Sequence, residues 1–310
     1  MTAEPVDWLR ELRPSLPRLL DRHLAGASAW LPHTYVPWSR GRDFDGPLGG
    51  TPWTAEQSRM PPAVRDALLV NLLTEDNLPA YHHELHRVLD GDENWTAWVH
   101  RWTAEEARHS DALRAYLHTT RAVDPVLLEE SRMRHVSRGY AHEHPTPLHS
   151  LAYVMIQELA TREAHRNTGE LCADPAGRRL LGRIAADENL HMLFYRGLYA
   201  DALAIAPDAA VRTLADVVCA FQMPGTTVPA FHLRALRIAA AGIYDLDVHR
   251  EHVLQPLLRA LGVMTLTGLG PDGEHALERI GRHLESLPGA AERVRELARR
   301  TGRARAGAAG

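Results

Sequence analysis

Apolar residues recur at three- and four-residue spacing along most of this chain, and no stretch alternates in the manner of a strand. The spacing predicts helices over about 7–24, 61–89, 93–119, 125–140, 148–168, 176–205, 207–222, 226–241, 246–261 and 272–300. Turn-forming residues mark the breaks: Asp90-Gly91-Asp92, Pro145-Thr146-Pro147, Asp174-Pro175, Ala206-Pro207, Gly225 and the Gly268–Gly273 segment. Pro79 falls inside a predicted helix, where its missing N–H is expected to produce a kink. The Trp/Pro/Gly-rich stretch from Ala29 to Trp53 reads as extended and turn-rich, wrapping over the helices. The expected fold class is all-α, with one domain over residues 1–300. It comprises an N-terminal wrap (1–60), a bundle core (61–205) and further packed helices (206–300). The Arg/Gly/Ala tail 301–310 is expected to be disordered.

Four of the apolar stripes are interrupted at mid-length by acid or histidine. They read Leu68, Leu72, Glu75, Pro79; Trp95, Val99, Trp102, Glu106, His109, Leu113, Tyr116; Leu151, Val154, Glu158, Thr161; and Leu181, Ile184, Glu188, His191, Tyr195, Leu198. Two of them carry Glu-x-x-His preceded by a second acid: Glu105-Glu106-Ala107-Arg108-His109 and Asp187-Glu188-Asn189-Leu190-His191. Glu75 precedes Glu106 by 31 positions and Glu158 precedes Glu188 by 30, so the pattern is an internal repeat. Positions i and i+3 share a helix face. Four facing helices therefore offer four carboxylates and two imidazoles to one point, the ligand set of a di-iron or di-manganese site in a ferritin-like four-helix bundle. Buried carboxylates repel one another, and two divalent cations neutralise four of them. A single Glu-x-x-His is ordinarily a solvated pair; the duplication on apolar faces is what favours metal. Oxygen and nitrogen donors suit iron or manganese better than zinc or copper.

The composition narrows the class without changing this picture. Over 310 residues, 45% hydrophobic and 24% charged is ordinary for a globular protein. A formal charge of −4 argues against nucleic-acid binding. All 35 basic residues are arginine. Cys172 and Cys219 form no metal-ligand spacing and fit a reducing compartment. With no signal-peptide pattern and no long apolar run, a cytoplasmic protein without membrane insertion is expected.

Beyond the ligand positions, several segments resemble the soluble acyl-[acyl-carrier-protein] desaturases of the stearoyl-ACP type, in their actinobacterial form. These are Thr74-Glu75-Asp76-Asn77-Leu78-Pro79 with Tyr81, Trp102-Thr103-Ala104-Glu105-Glu106-Ala107-Arg108-His109, Gln157-Glu158-Leu159-Ala160-Thr161, Ile184-Ala185-Ala186-Asp187-Glu188-Asn189-Leu190-His191, and Leu266-Thr267-Gly268-Leu269 with Gly273. The resemblance spans roughly residues 60–300. It implies a homodimeric di-iron enzyme that desaturates an acyl chain carried on acyl carrier protein, with O2 as oxidant and ferredoxin as electron donor. By motif position the iron ligands are Glu75, Glu106, His109, Glu158, Glu188 and His191. Glu106 and Glu188 bridge, and Thr161 lies at the oxygen side. Plant members have Asn at the position of Ala107 and a basic pair at Asn189-Leu190; neither position is a ligand.

Asp187 and Glu105 are expected to receive N–H bonds from the histidines of the opposite repeat, fixing tautomer and ring orientation. Thr161 has a plainer alternative, a hydroxyl bonded back to its own helix. Trp95, Trp98 and Trp102 read as core filling, with electron transfer as the alternative. His82, His83 and His86 look like a metal cluster but lack an evident partner, and His142 and His144 fall in a loop; neither group is read as a site. Four other functional classes stay open. They are a di-iron hydroxylase or N-oxygenase, a ribonucleotide-reductase-like subunit with Tyr195 or Tyr153 as radical site, a ferroxidase, and a metal-free helical interaction protein.

Overall fold

The computed structural model describes residues 6–89, 91–140 and 144–308, with side chains to residue 300. Its long helices begin where the sequence supplies a cap. Helix α5 (Glu93–Thr119) is capped by Asp92, whose side chain accepts from the Asn94 N–H. Helix α7 (Pro147–Leu171) is capped by Thr146 and α8 (Pro175–Ile205) by Asp174. Both start on proline, which needs no hydrogen-bond acceptor there. With α3 (Pro62–Glu75) they close a four-helix ring: α3 packs on α5, α5 on α8, α8 on α7, and α7 on α3. Among the described residues an isolated bridge, Phe44 to Thr51, is the extent of β-pairing.

The ring is filled in two separate apolar clusters. One gathers Trp95, Trp98, Leu151, Met155 and Leu198; the other gathers Leu68, Leu72, Leu113, Tyr116, Leu181 and Ile184. Between them lies a polar layer at mid-bundle. Each fully buried Leu or Ile contributes roughly 1.5–3 kcal/mol of burial, so two apolar plugs hold the polar layer in place. Close approach is needed at Gly177, where a Cβ would fall on the Tyr116 hydroxyl. At Gly197 a Cβ would lie 2.5 Å from a Leu19 methyl.

The remaining helices pack outside. At the N-terminus are α1 (Trp8–Leu12) and α2 (Leu16–Gly26); both lie on α8. After α3 come α4 (Leu78–Val88) and α6 (Pro125–Val136). The C-terminal third holds α9 (Pro207–Ala220), α10 (Phe231–Ala240), α11 (Leu246–Val248), α12 (Gln255–Leu261) and α13 (Pro271–Ala308). There α9 packs on α7 and α8, and α13 on α9 and α10.

Several boundaries differ from the sequence expectation. The predicted 61–89 helix is two helices, parted at Asp76-Asn77, and Pro79 occupies the first turn of α4 rather than kinking a continuous rod. The first helix is interrupted by a 3₁₀ turn at Arg13–Ser15 around Pro14. The helix expected from 226 begins at Phe231, after a turn closed by Val228 N–H on the Gly225 carbonyl. Between α11 and α12 lies a π-turn, His249–Leu254. The expected disordered tail, 301–310, lies outside the described side chains, and the backbone of α13 runs to Ala308.

Candidate metal centre

The polar layer contains all six residues that the repeat singled out. Glu75 closes α3, Glu106 and His109 lie on α5, Glu158 on α7, and Glu188 and His191 on α8. They form two overlapping groups, Glu75–Glu106–His109–Glu188 and Glu106–Glu158–Glu188–His191, each with one ligating atom per residue, all within 4.8 Å of one another. Glu106 and Glu188 belong to both. His109 aims Nδ1 inward, 3.3 Å from Glu106 and 3.7 Å from both Glu75 and Glu188. His191 does the same, 2.8 Å from Glu106, 3.5 Å from Glu158 and 3.7 Å from Glu188.

Glu106 Oε1, Glu158 Oε2, Glu188 Oε2 and both inward Nδ1 atoms are buried without a hydrogen-bond partner. Burial, together with the charges of Glu106 and Glu158, pushes Glu188 well above the usual carboxylate range. Burial alone would lower His109 and His191. It is outweighed by Glu106 beside His109, and by Glu105 and Glu106 beside His191, so both imidazoles are held well above their usual value. Protons take the place that cations would fill. The donor set of four carboxylates and two imidazoles fits a pair of divalent ions.

Each histidine turns its outer nitrogen to the acid of the other repeat. His191 Nε2 lies 3.0 Å from Glu105 Oε2, and His109 Nε2 lies 3.4 Å from Asp187 Oδ2. Glu105 is also bonded by His23 Nε2 at 2.8 Å and paired with Arg101. Asp187 is also bonded by the Trp30 indole at 2.7 Å and by Arg108 and Arg183. Burial would raise both acids, but the donors outweigh it. Those from His109 and Trp30 bring Asp187 down to about 2, and those from His191 and His23 hold Glu105 far below the usual range. Both acids are therefore anionic and fix Nε2–H on the histidines, leaving Nδ1 as the inward donor atom.

An apolar cavity of about 180 Å³ reaches this layer at Glu75, Glu106 and Thr161, with Leu78, Leu85, Val154, Phe231 and Ile238 among its walls. The Thr161 hydroxyl donates to the Gln157 and Glu158 carbonyls, the back-bonded arrangement, and the residue lines the cavity. Trp95 and Trp98 fill core, whereas the Trp102 indole donates to Glu158 at 2.9 Å. Tyr195 is buried against the cluster, and the Tyr153 hydroxyl donates to the Gln222 carbonyl. His142 lies outside the described residues; His144 packs on Tyr153 at the cavity wall.

A family model described as fatty acid desaturase matches residues 4–307. The chain belongs to the fatty acid desaturase family. A Mycobacterium tuberculosis protein named as an acyl-[acyl-carrier-protein] desaturase, DesA1, is 44% identical over 269 residues, 84% of this chain and 79% of that one. Acyl-[acyl-carrier-protein] desaturase 4 of Oryza sativa subsp. japonica, a chloroplastic protein, is 31% identical over 88% of this chain and 71% of its own. The X-ray structure of M. tuberculosis DesA2 superposes with a TM-score of 0.71 at 29% identity, covering 87% of this chain and 99% of that one. The all-α, ferritin-like architecture and membership of the acyl-ACP desaturase branch, an oxidoreductase branch, follow. No described helix is long and apolar enough to cross a membrane. Of the departures from the plant pattern, Ala107 packs against an apolar cluster, Asn189 accepts from Arg162, and Leu190 faces Gly26.

Three residues that touch the cluster escaped the sequence reading. His165 donates Nε2–H to Glu75 at 3.3 Å, because the Asn71 amide donates to its Nδ1. Its position was legible, four residues after Thr161 on the same face. His23 was legible too, on a stripe with Leu16 and Leu19. Trp30 lies in a segment without periodicity, and nothing in the sequence marked it.

Proposed function

We propose that this chain is a di-iron acyl-ACP desaturase, which introduces a double bond into a carrier-bound fatty acyl chain. The observation that carries the reading is the juxtaposition of the paired Glu/His cluster with the apolar cavity at Glu75, Glu106 and Thr161. Glu75 and His109 would hold one iron, Glu158 and His191 the other, and Glu106 and Glu188 would be shared; manganese could substitute. Bound iron would supply the two-electron chemistry with O2 that an unactivated C–H bond requires.

The chain's own residues do the rest. Asp187 and Glu105 hold the histidine ligands in one tautomer. His165 holds the outer oxygen of Glu75. The walls built from Leu78, Leu85, Val154, Phe231 and Ile238 align an alkyl chain and exclude water from the reacting carbons. Thr161 offers a hydroxyl oxygen where O2 would meet the acyl chain. The names of the relatives support acyl-ACP as the substrate. Acyl carrier proteins are acidic, and an all-arginine complement of cations suits such a partner. Ferredoxin as electron donor, O2 as co-substrate, a homodimer and a cytoplasmic location complete the proposal.

The test is incubation of Fe²⁺-reconstituted protein with a panel of acyl-ACPs, ferredoxin and O2, read by mass spectrometry. An acyl product lacking two hydrogens is expected. A product that retains an atom of ¹⁸O2 would make the protein a hydroxylase instead. No conversion of any acyl-ACP by iron-loaded protein would reject the reading.

A further inference from the structure

We propose that His82, His86 and His100 form a second, surface metal site for a borderline divalent cation such as Zn²⁺. Neither the family resemblance nor the mid-bundle cluster supplies this site, and it does not rest on the proposed activity. Sequence spacing put His82 and His86 one turn apart on α4 and offered no partner. The fold supplies one, because α4 and α5 are consecutive helices packed together and α5 presents His100 to the same spot.

The three ring centres form a near-equilateral triangle, 5.8 Å from His82 to His100, 5.9 Å from His82 to His86 and 6.2 Å from His86 to His100. With Zn–N of about 2.1 Å, two imidazoles on one tetrahedral ion have ring centres roughly 5 Å apart. The triangle is wider than that by about 1 Å and its nitrogens do not converge as closely as those of the mid-bundle groups, so zinc binding would require the exposed His100 ring to rotate inward.

The hydrogen bonds set the chemistry of the innermost ring. The Thr103 hydroxyl donates its one proton to the Val99 carbonyl at 2.8 Å. At His82 Nδ1, also 2.8 Å away, Thr103 can therefore only accept. His82 thus carries its proton on Nδ1 and presents a bare lone pair at Nε2, the arrangement in which an outer partner prepares a histidine for metal. Burial and the neighbouring imidazoles lower the His82 pKa, which keeps that lone pair available at neutral pH. Three imidazoles with water in the fourth position is a zinc coordination set.

The experiment is equilibrium dialysis of the iron-loaded protein against low-micromolar Zn²⁺, with iron and zinc counted separately by mass spectrometry. One zinc per chain is expected with the iron content unchanged. His86→Ala and His100→Ala should each abolish it, and Thr103→Val should weaken it about tenfold. His83→Ala, on an exposed neighbour outside the triangle, should retain it. His100 is exposed, so its replacement leaves folding intact, which a melting curve checks. No added zinc, or zinc that survives His100→Ala, would overturn the site. So would zinc lost equally with His83→Ala, which would indicate an unspecific histidine-rich surface. Because the two metals are counted apart, a failure of iron loading is distinguishable from a failure here.

Discussion

The two halves of the mid-bundle cluster match in their inner groups and differ in what stands behind them. On one side His109 leans on Asp187, which is held by the Trp30 indole, Arg108 and Arg183. On the other His191 leans on Glu105, which is held by His23 and Arg101. The repeated helices dictate the matching parts. Arg101 and Arg183 are matched too, each four residues before the acid it pairs with. The differing parts are Arg108 of α5, which bonds Asp187, and His23 and Trp30 from the N-terminal segment, which lies outside the repeat and lends one side chain to each half. An indole offers only a fixed N–H, whereas an imidazole can donate or accept from either nitrogen. The two proposed metal positions are thus built alike and supported differently.

The largest test of this comparison is at the shared carboxylates. Removing one by Glu106→Ala or Glu188→Ala takes a ligand from both halves, and iron content should fall below one per chain. Glu75→Ala, which touches one half, should leave more iron than either. Equal losses in all three variants would break the two-half scheme.

Next come the acids behind the histidines. Asp187→Ala and Glu105→Ala should each weaken iron binding by about 10- to 100-fold at one position only. Competitive titration with a ferrous chelator reads this as a single weakened site; unaltered affinity in either variant would remove that acid from the scheme.

A smaller effect, common to both halves, concerns protons. In the metal-free protein His109, His191 and Glu188 titrate above their usual values. For the histidines, a raised folded-state value gives stability that is present in full below about pH 6.5 and is lost as pH rises through the raised value. The metal-free protein should therefore lose melting temperature on alkalisation while the iron-loaded protein holds it. Iron binding should release protons and tighten with pH. A pH-independent iron affinity would contradict the assignment.

The smallest expected effect is on stability. Trp30→Phe removes one hydrogen bond to a charged acceptor and should cost about 1.5–3 kcal/mol. His23→Ala should cost at least as much, since it also opens space beside Trp98, 5.1 Å away. Chemical denaturation of the metal-free variants measures both.

How far the sequence reached follows the same division. The six cluster residues were readable because each interrupts an apolar stripe at helical spacing, and the repeat doubled the signal. His23 and His165 carried that signal singly, and a single buried histidine on a stripe is ordinarily a satisfied core residue. Trp30 and the His100 partner were unreadable for a different reason. Each meets its neighbours across a tertiary contact that no local period encodes. The break at Asp76-Asn77 was hidden likewise, because Pro79 fits a kinked helix and a new first turn equally well; Asn77 bonding to the Gly139 carbonyl and Asp76 pairing with Arg132 decide for the turn.

The most direct measurement is the iron content of the full chain after anaerobic Fe²⁺ reconstitution and removal of loose metal, with Mössbauer spectra of the bound iron. Two irons per chain in two unequal environments are predicted. A single iron, none, or two irons that persist when Glu188 is replaced by Ala would contradict a pair of ions held by shared carboxylates.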